Sequence, residues 1–160
     1  RGRGPYGIHV TPQGAVYYAS LAGSHIARID PVTGAATPIE PPTPRQGARR
    51  VWSDSKGNLW VAEWNSGNLS RYEPASGKWS TWAAPGDEPH VYAVYVDEDD
   101  KVWASEWSAQ VMLRFDPQTG KFESFKSTSR RPNVRQIHGR KGEVWTPESG
   151  ADKIVVYRYR

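Results

Sequence analysis

Four positions spaced 43 residues apart hold Tyr6, Arg49, Tyr92 and Arg135. Arginine offers a planar, permanently charged fork to oxyanions; because it keeps its proton, it is a poor general base. A second set, Glu63, Glu106 and Glu148, keeps nearly the same spacing, with Ser20 in the corresponding place nearer the N-terminus. Carboxylates gathered at one point bind a hard divalent cation such as Mg2+ through oxygen. They would equally satisfy Arg49 and Arg135 as a ring of salt bridges, and the sequence leaves both arrangements open. On either reading the two sets mark one mouth, lined by Arg and Tyr, as the place for a small-molecule or peptide ligand, a glycan or a small anion. His90 stands two residues before Tyr92. Strict register makes it a loop residue; a slip of register would make it a candidate base.

Other residues invite chemistry less strongly. His9, Trp52, Tyr95 and His138 also lie 43 apart, which places them at equal depth, packed between repeats or lining a channel. His25 falls in a turn, where solvation is expected. Asp97-Glu98-Asp99-Asp100 has the composition of a calcium loop but lacks its glycine and distal glutamate, so it reads as a solvated turn. No Ser-His-Asp order, phosphate loop or Cys/His metal spacing is present. The absence of cysteine excludes disulfides and thiolate metal sites. Arg45, Arg49, Arg50, Arg130, Arg131 and Arg135 form a basic group. No RNA-binding motif accompanies it and the formal charge is only +4, so no nucleic acid partner is expected. No apolar run has the length of a membrane span, and Arg1-Gly2-Arg3-Gly4-Pro5 has no apolar core of the kind a signal peptide needs. A soluble protein of the bacterial cytoplasm or periplasm is expected, with the compartment left open.

The elements that carry these residues are set by an internal repeat. Asp30-Pro31-Val32-Thr33-Gly34 returns as Glu73-Pro74-Ala75-Ser76-Gly77 and as Asp116-Pro117-Gln118-Thr119-Gly120, each 43 residues on. Tyr17, Trp60 and Trp103 follow the same step and Trp145 comes one residue early. These aromatics read as repeat core. One period holds four short strands. In the second copy they cover 48–53, 58–64, 68–73 and 78–83, separated by Lys56-Gly57, Asn65-Ser66-Gly67 and Pro74-Ala75-Ser76-Gly77. A four-stranded meander repeating every ~40–45 residues is a β-propeller blade. A β-sandwich needs no such repeat, and the Gly-His and Trp-Asp dipeptides of WD repeats are missing.

The expected fold is therefore all-β, with about four consecutive blades near 5–44, 45–88, 89–131 and 132–160. The last blade reaches a third strand near 153–157 and lacks an outer one. The expectation is part of a larger ring, completed by N-terminal blades of a parent chain or by self-association of open halves. An assembly scaffold is the further possibility raised by that open edge.

Gly4-Pro5-Tyr6-Gly7-Ile8, the Trp-x-x-Glu segments and the Asp-Pro-x-Thr-Gly turns resemble the virginiamycin B lyase (streptogramin lyase) family over the whole chain. Related NHL-like repeats occur in propellers that are not lyases. The resemblance implies a seven-bladed propeller that opens a cyclic depsipeptide antibiotic by β-elimination at an ester, with magnesium, a route to antibiotic resistance. It implies a substrate contact at Tyr6 and carboxylates near the metal at Glu63, Glu106 and Glu148. It also implies a histidine base at the start of the closing blade, where this chain has Asn133-Val134-Arg135.

Overall fold

The structure is a computed structural model that describes residues 4–159; Arg1-Gly2-Arg3 lies outside the described residues. Fifteen strands form four antiparallel sheets, and there is no helix among the described residues. Blade 1 contains β1 (Pro5–Val10), β2 (Val16–Ser20), β3 (His25–Ile29) and β4 (Ala36–Ile39). Blade 2 contains β5 (Ala48–Ser53), β6 (Leu59–Glu63), β7 (Asn68–Glu73) and β8 (Lys78–Ala83). Blade 3 contains β9 (Val91–Val96), β10 (Val102–Glu106), β11 (Val111–Asp116) and β12 (Lys121–Lys126). Blade 4 has three strands, β13 (His138–Arg140), β14 (Glu143–Glu148) and β15 (Lys153–Arg158). Each sheet is a simple meander in chain order. The fold is thus the all-β propeller that the repeat implies.

Packing explains the strand sequences. The second strands β6 and β10 are buried at every residue, because each lies between two neighbouring blades. The outer strands β8 and β12 alternate between partly buried and exposed. Three apolar clusters fill the three junctions between consecutive blades. Gly7 shows how close the inner strands come: a Cβ there would meet the Arg49 carbonyl oxygen at 2.8 Å and the Arg50 Cα at 2.9 Å. A side chain would push β1 away from β5.

An aspartate fixes the first hairpin of each middle blade. Asp97 accepts the backbone N–H of Asp99 at 3.0 Å and of Lys101 at 2.9 Å, while its other oxygen takes the Trp103 indole N–H at 2.8 Å. Asp54 does the same for Lys56, Asn58 and Trp60. Asp97 is therefore a buried clamp rather than the solvated turn residue its acidic neighbours suggested. His25 is also buried, opening β3, with Nδ1 3.1 Å from the Gly23 carbonyl. The turn expected to solvate it ends one residue earlier.

The same repeat position is buried or exposed according to whether a neighbouring blade is present. Ile8 is 67% exposed, whereas Val51 and Val94, one and two repeats on, are 3% and 4% exposed. At the other end Trp145 is 37% exposed, against 1% for Trp60 and Trp103. Trp145 is thus not blade core in the sense expected from its spacing. Among the described residues no blade lies against its outer face.

Candidate functional site

Three of the four residues at the starts of the blades owe their position to bulges. In blade 2, Ala48 pairs with Glu63 and Arg50 with Ala62, leaving Arg49 as the extra residue. Tyr6 sits in the same break between Pro5 and Gly7. In blade 3 the shift lies between Ala104 and Glu106, where Tyr92 and Ala93 follow Val91. In blade 4 the corresponding pairing is the lone bridge of Val134 to Glu148, one residue before Arg135. A bulge bends its strand and re-aims a side chain, so one device repeated around the ring directs these residues to one mouth.

The structure brings Tyr6, Arg49 and Tyr92 into direct contact. The Tyr6 and Tyr92 hydroxyls are 2.5 Å apart. Arg49 Nη2 donates to the Tyr6 oxygen at 3.3 Å. The Arg49 guanidinium carbon lies 3.7 Å from the centre of the Tyr92 ring, 4.3 Å from that of Trp64 and 4.6 Å from that of Tyr6. Arg50 approaches the Tyr6 ring at 5.1 Å and donates to the Arg135 carbonyl at 3.5 Å. Arg135 covers Trp107 at 5.5 Å, and Trp107 stacks on Tyr92 with 5.0 Å between ring centres. Burial pushes the Tyr92 phenol up, but its bonds with Tyr6 and Arg49 and the charges of Arg49 and Arg135 outweigh this and hold it below the usual tyrosine value.

Trp64 and Trp107 escaped the sequence reading. Each directly follows a glutamate of the second set, so the repeated dipeptide Glu63-Trp64 and Glu106-Trp107 was the available signal. His90 is in the loop before β9. Its ring meets Trp64 edge-on at 4.7 Å, and Nδ1 lies 2.9 Å from the Glu88 carbonyl oxygen. A carbonyl needs a donor, so neutral His90 facing it carries its proton on Nδ1.

The glutamates behave differently from either expectation. Glu63 accepts hydrogen bonds from Ser66 and Ser70 within its own blade. Burial pushes its carboxyl up, against the opposing pull of Ser66, Ser70 and Asn68. Glu106 accepts the backbone N–H groups of His90, Ser108 and Ala109 at 2.9, 2.7 and 2.6 Å. Glu148 accepts Ser127 Oγ at 2.5 Å, and nearby Tyr157 is pushed up to about 12 by burial and then by the Glu148 charge. All three glutamates are buried and tie loops to their blades. The alternating Arg–Glu ring is not formed, because Arg49 and Arg135 face aromatic rings instead. Among the described residues no three His, Asp or Glu side chains come together as metal ligands. Glu63, Glu106 and Glu148 therefore do not fit a shared Mg2+.

At the opposite end of the inner strands, His9, Tyr95 and His138 gather around Trp52. Trp52 lies 4.5 Å from His9, 5.2 Å from Tyr95 and 5.3 Å from His138, ring centre to ring centre. His9, Trp52 and Tyr95 border a cleft of about 440 Å³ that also includes Asp97, Glu98 and Arg140.

Comparison with solved structures places this geometry. A catalytically inactive histidine-to-alanine variant of virginiamycin B lyase from Staphylococcus aureus, solved with quinupristin, superposes with a TM-score of 0.85 at 23% identity over 97% of this chain. A streptogramin B lyase structure gives 0.85 at 17% identity over 99%. The fold is that of the virginiamycin B lyase propeller. The chain spans 55% of each of those two lyase chains. The fold is also shared with YCF48 bound to D1 peptide, at a TM-score of 0.76 and 16% identity over 98% of this chain and 51% of that one. No protein-family model matches the chain, and no curated protein matches it significantly.

Proposed function

We propose that the chain is part of a virginiamycin B lyase-like propeller that binds a cyclic ester or depsipeptide at the Tyr6–Arg49–Tyr92–Arg135 mouth and opens it by β-elimination. The observation that carries this reading is the convergence of Tyr6, Arg49 and Tyr92 on that mouth, with Trp64 and Trp107 behind them and Arg135 over Trp107. Elimination next to an ester carbonyl develops enolate-like charge, and cations held near it lower the barrier. Arg49, Arg50 and Arg135 supply such cations, and among the described residues no carboxylate neutralises them. The aromatic rings offer apolar surface to the rest of a cyclic ligand. In the family the Mg2+ supplies Lewis acidity; the glutamates here do not gather to hold it, so no step is assigned to a metal.

A second reading is a propeller that binds a peptide, glycan or small anion without chemistry. It is favoured by Arg135, which stands where the resemblance expects a histidine base. Incubation of the protein with quinupristin, with and without Mg2+, followed by mass spectrometry, separates the two. A linear product of unchanged mass supports the lyase reading. Salt-sensitive binding with no conversion under any metal condition supports the second.

A further inference from the structure

Two phenol oxygens at 2.5 Å are a special pair. At that separation one hydroxyl must donate and the other accept, and removal of one proton leaves a charge that both oxygens share. The pair spans two blades, since Tyr6 belongs to the bulge of β1 and Tyr92 to that of β9. Tyr6 is 41% exposed and faces the mouth, while Tyr92 is buried behind it. Every charged group seen to contact the pair is a cation: Arg49 touches both rings, Arg50 lies over Tyr6, and Arg135 reaches Tyr92 through Trp107. Glu106 approaches from behind, but its oxygens are occupied by backbone N–H groups. The His90 ring contact is with Trp64.

We propose that Tyr6 and Tyr92 form a proton-accepting dyad, in which the deprotonated pair holds one proton between two oxygens and Tyr6 presents the basic oxygen to a ligand at the mouth. The ligand class is an acyl compound with a proton on the carbon next to the carbonyl and an oxygen leaving group one carbon further on. The dyad takes that proton. The C–H electron pair becomes the C=C bond, and the C–O bond breaks with its electrons going to the leaving oxygen. An ester releases a carboxylate. An ether or alcohol oxygen takes the proton back from the dyad, so no co-reactant is needed. The lowered Tyr92 phenol agrees with this arrangement. The inference rests on the elimination reading above for its chemistry, but not for its test.

The test is a spectrophotometric titration of the whole protein, reading phenolate absorbance in the near ultraviolet. One phenolate equivalent is expected well below the main tyrosine wave. It should vanish in Tyr92→Phe, persist in Tyr18→Phe and His90→Gln, and move upward by about one pH unit in Arg49→Lys, where the charge becomes mobile. Circular dichroism of each variant confirms that the blades remain folded; Tyr6→Phe serves in place of any variant that does not fold. A single wave at the ordinary value, or an early step that survives Tyr92→Phe, overturns the dyad. A dyad that titrates without any conversion of quinupristin leaves the inference standing and removes the lyase reading for that ligand. Conversion that is unchanged in Tyr92→Phe does the reverse.

Discussion

The two ends of the inner strands are built from the same repeat, yet they hold opposite kinds of structure. At the far end, His9, Tyr95 and His138 gather around Trp52 next to aspartates that clamp hairpins. His9 also pairs with Ser53 there, 2.8 Å from its hydroxyl. At the mouth, bulges break the strand pairing and three guanidiniums gather against aromatic faces, with no carboxylate among the described residues to neutralise them. Burying charge without an opposite charge costs stability, whereas closing hairpins contributes it. One end holds the blades in register and the other holds charge ready for a ligand.

This contrast can be broken at several points. The largest effect is expected for Asp97→Ala, which strips acceptors from a buried indole N–H and two turn amides. Thermal or urea unfolding should show a loss of about 3 kcal/mol. Next comes Gly139→Ala, whose new Cβ would lie 2.5 Å from the Tyr95 hydroxyl and 2.6 Å from its ring. Displacing Tyr95 from the aromatic stack should cost about 2 kcal/mol. Arg49→Gln should cost only about 1 kcal/mol, the scale of its cation–π contacts, while ligand binding at the mouth is lost. Equal stability losses for Arg49→Gln and Asp97→Ala would erase the distinction between the two ends.

The smallest effect is one of pH. Burial raises the folded value of Glu63 above its ordinary 4.5, so the folded state binds its proton more tightly than the unfolded chain does. The stability this contributes is complete below that ordinary value and is lost as pH rises through the folded one. Unfolding midpoints of the protein and of Glu63→Gln, measured from acid to neutral pH, should therefore diverge as pH rises, with the protein losing ground. Parallel curves would show that Ser66 and Ser70 fully offset the burial.

Much of the fold was legible in the sequence because a repeat announces itself by spacing. β5, β7 and β8 have the residue bounds read from Ala48–Ser53, Asn68–Glu73 and Lys78–Ala83, and β6 is shorter by one residue at each end. The site was legible only in part. Tyr6, Arg49, Tyr92 and Arg135 were found as a periodic set, but a bulge shared by the first three blades leaves the 43-residue step unchanged, so their contacts were invisible. Glu63, Glu106 and Glu148 misled because a periodic glutamate looks the same whether it faces a metal, an arginine or its own loop. Trp145 misled for a different reason. The residue type is right for core, but burial belongs to a pair of blades, and composition within one blade does not record its neighbour.

That last point bears on how the molecule comes apart. Blades 2 and 3 are flanked on both sides, whereas blade 1 exposes Ile8 and blade 4 exposes Trp145 and Ile154 and has only three strands. In a stack of repeats, stability is roughly a sum of unit terms and nearest-neighbour terms, so in these 160 residues taken alone the first and last blades have fewer terms to lose. Amide exchange should accordingly advance inward as a front: β15 and β13 first, then β1, with β6 and β10 protected longest. The lone bridge of Val134 to Glu148 would open early in that sequence. Arg135 would then leave the mouth while Tyr6, Arg49 and Tyr92 were still assembled.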